Sequence, residues 1–340
     1  MKSDKLFTIK KVLKLTHALQ PGHILLIIVQ RLLNAAAPFI SVIYSSIILD
    51  QLLSHAAYES IMKNALVMII LLCLFPLIYW GLEHIISVNS SVLNEKIDRM
   101  ICEKSFDIDY DILEKRETLD MIKKAEEGMN SNGNITSFCS NFAYIIELIA
   151  KIVYSILILI PLFISKNNIP DGTLPQFLNK WYSVFILIAL IGIKVFLSSI
   201  FNIKSQKVQQ QFFLSNVRAN REYGYYSNFM FDYNLGKYIR LYKSQNMIIQ
   251  RTVKTLKWME TEFRRLMVKI NLIQAPDALV QFFVQFVSYA YVGLKAIYGF
   301  ISVGSALKYI TAYGSVVESI TGISYKIIDL GIKAEYLSYF

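Results

Sequence analysis

Six long apolar blocks, residues 24–49, 64–88, 142–164, 181–203, 272–298 and 303–328, constrain this chain more than any other feature. A helix that crosses the ~30 Å hydrocarbon core of a bilayer needs about 20 mainly apolar residues, and each block supplies that length. A soluble domain would spread its apolar residues at amphipathic spacing; here they are gathered. With 54% apolar residues, 18% charged residues and a mean hydropathy of +0.42, the fold class expected is all-α, one polytopic membrane unit. Lys308, Thr311, Ser315, Glu318 and Ser319 dilute the last block, so five spans is the alternative. Residues 1–23 carry five lysines and no short apolar core followed by a small-residue cleavage pattern, which predicts mature protein rather than a signal peptide. The spacing of Leu6, Ile9 and Leu13 there predicts an interfacial helix.

The charges orient the spans. Lys and Arg number five in residues 1–23, one in 50–63, seven in 89–141, two in 165–180 and thirteen in 204–271. Positive side chains collect on the cytoplasmic side, so the N-terminus and the second and fourth connections are expected inside. Six spans then bring the C-terminus inside as well. The net charge of +10 is thereby a topology signal, and no nucleic-acid partner is expected. Cys73, Cys102 and Cys139 are too few and too scattered for a disulfide framework or a zinc module. His17, His23, His55 and His84 lie in separate segments, so no metal site is expected. No Ser/His/Asp, Cys/His or HExxH constellation argues for hydrolysis on this chain.

Neither Gly nor Pro occurs in 82–127, 193–223 or 237–275, and each stretch joins an apolar block to a charged one. Helices are therefore expected to continue past the membrane. At 1.5 Å per residue, a helix from Asn64 to about Lys104 is roughly 60 Å long, twice the hydrocarbon core. Two cytoplasmic connections must reverse direction, and each suits a short transverse helix. The first is 110–127, YDILEKRETLDMIKKAEE, with Asp111 as N-cap three residues before Glu114, the spacing of a capping box; Gly128 and Gly133 supply the turn that follows. The second is 223–242, with eight aromatics in twenty residues and Gly224 and Gly236 as hinges. Those aromatics either form an interface or pack between the helices.

Two pairs of long helices, each turned by a transverse cytoplasmic segment, followed by two more spans, resemble the membrane domain of bacterial ABC exporters of the six-helix type. Asp120, Lys124 and Ala125 resemble that family's first cytoplasmic loop. Arg221, Glu222 and Tyr225, followed by Lys237, Ile239, Arg240, Leu241 and Tyr242, are similar to its second coupling region, with Tyr238 where members often carry Glu. The stretch Tyr298–Ile320 is similar to the turn into the sixth helix through Gly299, Ile301, Ser302 and Gly304. The resemblance runs from the interfacial helix to Phe340. It implies residence in the bacterial cytoplasmic membrane and a dimer with a second transmembrane half, the same chain or a different one. It also implies contact with a nucleotide-binding domain, in cis or as a separate chain, through Leu113, Glu114, Asp120, Lys124, Tyr225, Phe229, Lys237, Ile239, Arg240, Leu241 and Tyr242.

A Walker A loop, G-x-x-x-x-G-K-[ST], does not occur in the sequence. ATP and Mg are accordingly expected on the nucleotide-binding domain and no cofactor on this chain, although the assembled transporter would hydrolyse ATP. The final helix-like GIKAEYLSYF favours a fragment of a longer exporter over a separate permease subunit. The cargo implied is a peptide, lipid or drug-like molecule. The alternatives are a non-transporting interaction or immunity protein that kept the fold, and an ion-coupled secondary transporter.

Two polar stripes mark a possible translocation cavity. At 100° per residue, Gln274, Asp277, Gln281, Gln285 and Ser288 fall within about 80° of arc, and Lys308, Thr311, Ser315, Glu318, Ser319 and Gly322 within about 100°. The competing reading is hydrogen-bonded glue between helices. The cavity residues expected are Gln281, Gln285, Lys308, Ser315 and Glu318. Glu147 and Lys151, four residues apart, form a favourable helical ion pair with a structural role. For Arg31, Asn34, Glu83 and His84, snorkelling or packing is favoured over contact with substrate.

Overall fold

The computed structural model describes residues 2–107, 109–113, 118, 134–164 and 183–337. Among these the chain is all-helical and contains no strand. Its helices are α1 (Lys2–Leu19), α2 (His23–Leu53), α3 (Tyr58–Asp107), α4 (Tyr110–Leu113), α5 (Ile135–Ile164), α6 (Ser183–Phe231), α7 (Gly236–Leu241), α8 (Gln245–Ile297) and α9 (Val303–Leu337), with a 3-10 turn at Tyr233–Leu235. Long apolar runs without turn residues account for their length. Pro38, Pro76, Pro161 and Pro276 lie inside α2, α3, α5 and α8, a position tolerated in membrane helices far better than in soluble ones.

Among the described residues, five stretches are long and apolar enough to cross a membrane: His23–Leu53, Tyr58–Lys104, Ile135–Leu162, Ile188–Gln209 and Gln245–Ile297. The expected sixth block, 303–328, is helical within α9, but its polar residues leave it outside this set. The surface of α3 supports a bilayer setting. Leu66, Ile69, Ile70, Leu77 and Trp80 are all exposed, and a contiguous face of that kind is unfavourable in water but favourable against lipid tails.

Two units divide the chain, Met1–Val195 with Gln285–Phe340, and Phe196–Val284. In the first, α2 packs against α3, α5 and α9, α5 packs against α9, and α1 lies against the group. Its apolar core draws Val12 from α1, Ile27 from α2, Ile86, Leu93 and Ile97 from α3, Phe138 and Ala143 from α5, and Leu330 and Ala334 from α9. Seven- and four-residue spacings on α3, a four-residue spacing on α9 and the positions Ile135, Phe138, Cys139 and Ala143 on α5 put these side chains on one face of each of those helices. The second unit holds the lower part of α6, the 3-10 turn, α7 and most of α8.

The turns depart from expectation in three places. Gly224 lies inside α6, because a single glycine costs a helix only about 1 kcal/mol, and Gly236 has ordinary helical angles (φ −56°, ψ −37°). The 3-10 turn and Lys243 at φ 50° break the helical course here, and within the expected segment 223–242 the separate short helix covers Gly236–Leu241. In the first connection α4 begins at Tyr110, which puts Asp111 within its first turn and not at the N-cap. Glu114, Asp120, Lys124, Ala125, Gly128, Gly133, the 165–180 connection and the last three residues lie outside the described residues.

Candidate functional site

The most elaborate polar construction lies where α2, α5 and α9 meet. Ser137, Asn141, Tyr144, Glu147 and Lys151 recur at three- and four-residue spacing along α5, which places them on one face. Glu147 is fully buried. Its carboxylate accepts from Asn34 Nδ2 at 2.8 Å, pairs with Lys151 Nζ at 2.8 Å and reaches Arg31 Nη1 at 3.4 Å. Three donors satisfy an otherwise costly buried charge. The helical pair Glu147–Lys151 is thus present, and α2 completes it through Arg31 and Asn34. Arg31 does more than snorkel, since its guanidinium also lies 5.6 Å from the centre of the Tyr144 ring.

Lys326 Nζ of α9 also lies 5.2 Å from the Tyr144 ring centre and donates to Asn141 Oδ1 at 3.0 Å. Asn141 Nδ2 in turn donates to Asp329 Oδ2 at 2.9 Å. Lys333 donates to Ser137 Oγ at 2.9 Å and stands 3.7 Å from Asp329. Burial pushes the Lys333 ammonium below its ordinary range, Lys326 adds to that, and Asp329 opposes it. Nearby, Gln30 Nε2 donates to Glu83 Oε2 at 2.5 Å, so Glu83 also serves helix packing.

At the opposite end of the α2–α9 pair a carboxylate holds a helix start. Asp50 Oδ1 accepts from the Gly304 backbone N–H at 2.8 Å, and Oδ2 from Ser302 Oγ at 2.7 Å. Ser302 Oγ also accepts from Ser305 N at 3.1 Å, as an N-cap does. The turn before it needs Gly299, at φ 72°. Gly304 is needed for closeness: a Cβ there would lie 2.2 Å from the Ser46 carbonyl oxygen. This gives the Gly-x-Ile-Ser-x-Gly pattern a physical basis.

The polar stripe of α8 is partly accounted for by packing. Within the second unit Asp277 accepts from Ser198, and Gln274 Nε2 donates to Ser205 Oγ at 3.4 Å, so these two act as interhelical glue. Ser288 is buried and bonds the Gln285 carbonyl of its own helix at 2.8 Å. Gln281 and Gln285 are half-buried on α8, the former in the second unit and the latter in the first. On α9, Lys308 is half-buried with its ammonium 5.2 Å from the Tyr309 ring centre, Ser315 is half-buried and Glu318 is exposed.

Around the second turn the expected coupling residues gather on neighbouring elements. Tyr225 and Phe229 pack one turn apart on α6 with ring centres 4.8 Å apart and planes tilted by 56°, and Tyr226 meets Tyr225 edge-on at 5.4 Å. Lys237 and Arg240 on α7 are exposed and Ile239 is half-buried, while Leu241 is 68% and Tyr242 75% exposed. Tyr233 and Phe231 project further, at 95% and 85%. Of the first coupling group, the backbone of Leu113 ends α4. Among the described residues no group of three His, Cys, Asp or Glu side chains could hold a metal ion. No family model matches the sequence, and no curated protein matches it.

Proposed function

We propose that this chain is the membrane-spanning part of an ATP-driven exporter of the six-helix ABC type, working as a dimer with a second such half. One observation carries the reading: α3, α6 and α8 run for 50, 49 and 53 residues, whereas a span needs about 20, and the turn joining α6 to α8 exposes a cluster of aromatics. At 1.5 Å per residue α3 is about 75 Å long. Helices of this length carry motion from outside the bilayer into it.

In this reading α9 is the sixth span, and the N- and C-termini are cytoplasmic. ATP and Mg bind the partner nucleotide-binding domain. The segments 110–127 and 223–242 seat on that domain, and its closure is transmitted along the long helices to a cavity lined by Gln285, Lys308, Ser315 and Glu318. Exposed Leu241 and Tyr242 are the anchors expected to be covered, since buried aromatic and aliphatic side chains dominate such interfaces.

The genetic test is to read the coding sequence downstream of the Phe340 codon and in the adjacent frames. A continuing frame or a neighbour encoding a Walker A loop supports the reading, whereas a stop codon with no ATPase neighbour removes its motor. The biochemical test is ATP hydrolysis by the ATPase domain in proteoliposomes, with and without this chain. Leu241→Ser and Tyr242→Ala should abolish any stimulation while changing stability by no more than about 0.5 kcal/mol, as expected for exposed positions.

A further inference from the structure

Helix α1 does not turn its apolar stripe outward. Ile9, Leu13, Leu15 and Leu19 pack against the core of the first unit, to which Val12 belongs, and Thr16 Oγ1 meets Cys139 Sγ of α5 at 3.5 Å. The end of the helix is pinned as well. Lys96 Nζ of α3 donates to the Leu19 carbonyl at 2.6 Å and to Gln20 Oε1 at 2.8 Å, and Gln20 Nε2 donates to Asn89 Oδ1 at 3.2 Å. The stripe expected at an interface is therefore used in packing, and α1 offers its surroundings the opposite face.

That face is basic. At 100° per residue Phe7, Lys10, Lys11, Lys14 and Ala18 fall within about 100° of arc, and all five are exposed, Phe7 at 70%. No acidic residue occurs from Phe7 to Leu19, and none of the three lysines has an ion-pair partner among the described residues. The position is that of a membrane surface. Arg31 and Asp50 bound the uncharged part of α2, about 28 Å at 1.5 Å per residue, which matches the ~30 Å hydrocarbon core. The first turns of α2 thus stand at head-group level, and α1 joins them through Gly22 at φ 85°. Because α1 touches α2, α3, α5 and α9, it crosses these helices at that level instead of extending one of them.

We propose that Lys10, Lys11 and Lys14 hold the head groups of anionic phospholipids, making α1 an electrostatic anchor seated on the helix group. Unpaired lysines at the foot of a span match a surface rich in phosphate, and Phe7, within the same arc, supplies an apolar contact at the edge of the acyl chains. The inference rests on residence in a membrane and not on the exporter reading, so its failure leaves that reading untouched.

The test uses the full chain in maltoside micelles, equilibrated with equal amounts of phosphatidylglycerol and phosphatidylcholine and weighed with its retained lipids by native mass spectrometry. Phosphatidylglycerol should be retained in excess, and raising the ionic strength from about 0.05 M to about 0.5 M should erode that excess, as screening does for exposed charges. Each of Lys10→Gln, Lys11→Gln and Lys14→Gln should lower the excess severalfold, and the triple variant should bring the two lipids to within about twofold of each other. The corresponding triple arginine variant should keep the excess. Lys254→Gln with Lys257→Gln, exposed on α8, should leave it unchanged. Since the three α1 positions are exposed, the unfolding midpoint without added lipid should not move, which separates lost lipid from lost fold. Equal retention of the two lipids by the parent chain leaves the face to an acidic protein segment and overturns the proposal. An excess that survives the triple glutamine variant, or one that the α8 control loses equally, overturns it too.

Discussion

Adding one methyl group at Gly304 should separate α2 from α9 at the end where Asp50 joins them. In Gly304→Ala the new Cβ meets the Ser46 carbonyl oxygen at 2.2 Å and the Asp50 Cγ and Oδ1 atoms at 2.7 Å. The nearest obstacle is backbone, so no rotamer change relieves it. Overpacking of this kind costs about 1–3 kcal/mol. Relief by helix displacement weakens the two hydrogen bonds to the Asp50 carboxylate, and bonds to charged groups are worth about 1.5–3 kcal/mol each. A net loss of roughly 2–4 kcal/mol follows, because the displaced carboxylate recovers part of its hydration. At roughly 2–4 °C per kcal/mol, the unfolding midpoint in detergent should fall by about 5–10 °C, measured by size-exclusion recovery after heating. The same helix supplies its own controls. At Gly314 an added Cβ meets nothing within 4 Å, so Gly314→Ala should gain up to about 1 kcal/mol of helix propensity. At Gly322 the nearest atom is the flexible end of Leu148 at 3.0 Å, which predicts an intermediate effect. If Gly304→Ala melts together with Gly314→Ala, the close approach is not a constraint on the fold and the reasoning fails.

Three further outcomes follow from the exposure of particular side chains. Cys73 and Cys102 are exposed on α3 and Cys139 is buried on α5; at 1.5 Å per residue the first two lie about 44 Å apart, more than the hydrocarbon core can hold. A membrane-impermeant maleimide should therefore label Cys102 in inside-out vesicles only, a lipid-soluble one should also label Cys73, and Cys139 should react only after unfolding; labelling of Cys102 from outside would reverse the orientation. Cysteines placed at Gln285, Ser315 and Glu318 should react with water-soluble thiol reagents, and silence at all three would dismiss the proposed cavity. Glu147→Leu leaves Arg31 and Lys151 without their shared carboxylate, and breaking a buried pair in this way costs about 3–5 kcal/mol, which should appear as reduced yield of monodisperse protein.

The helices were legible because apolar runs and the absence of turn residues are local properties. The exceptions are equally local in cause. Gly224 reads as a hinge from residue type alone, yet neighbours on both sides favour helix strongly enough to carry the chain through it; Gly236 stands at a break, between the 3-10 turn and the next helix, but with ordinary helical angles, and the positive φ falls at Lys243, a residue type that gives no warning of a left-handed backbone. Part of the polar chemistry was visible as pattern without partners. The four-residue spacing of Glu147 and Lys151 announced an ion pair, but Arg31 and Asn34 reach Glu147 from positions 116 and 113 residues away, and helical periodicity names a face without naming what it meets. The Gly-x-Ile-Ser-x-Gly stretch was conspicuous, while its acceptor, Asp50, lies more than 250 residues earlier.

Taken together these contacts restrict how the first unit can move. Asp50 holds the end of α2 to the start of α9, while Arg31 near the start of α2 meets Tyr144, which Lys326 near the end of α9 also meets. The antiparallel pair is thus tied by charged groups at both ends, with α5 as the bridge at one of them. Sliding α2 against α9 by one residue, about 1.5 Å, would strain the 2.8 Å bond at Asp50 and draw Arg31 and Asn34 away from Glu147, leaving it Lys151 of its own helix. Packed interfaces of this kind switch between discrete arrangements rather than deform continuously. Any large motion of the first unit must therefore carry α2, α5 and α9 as one body.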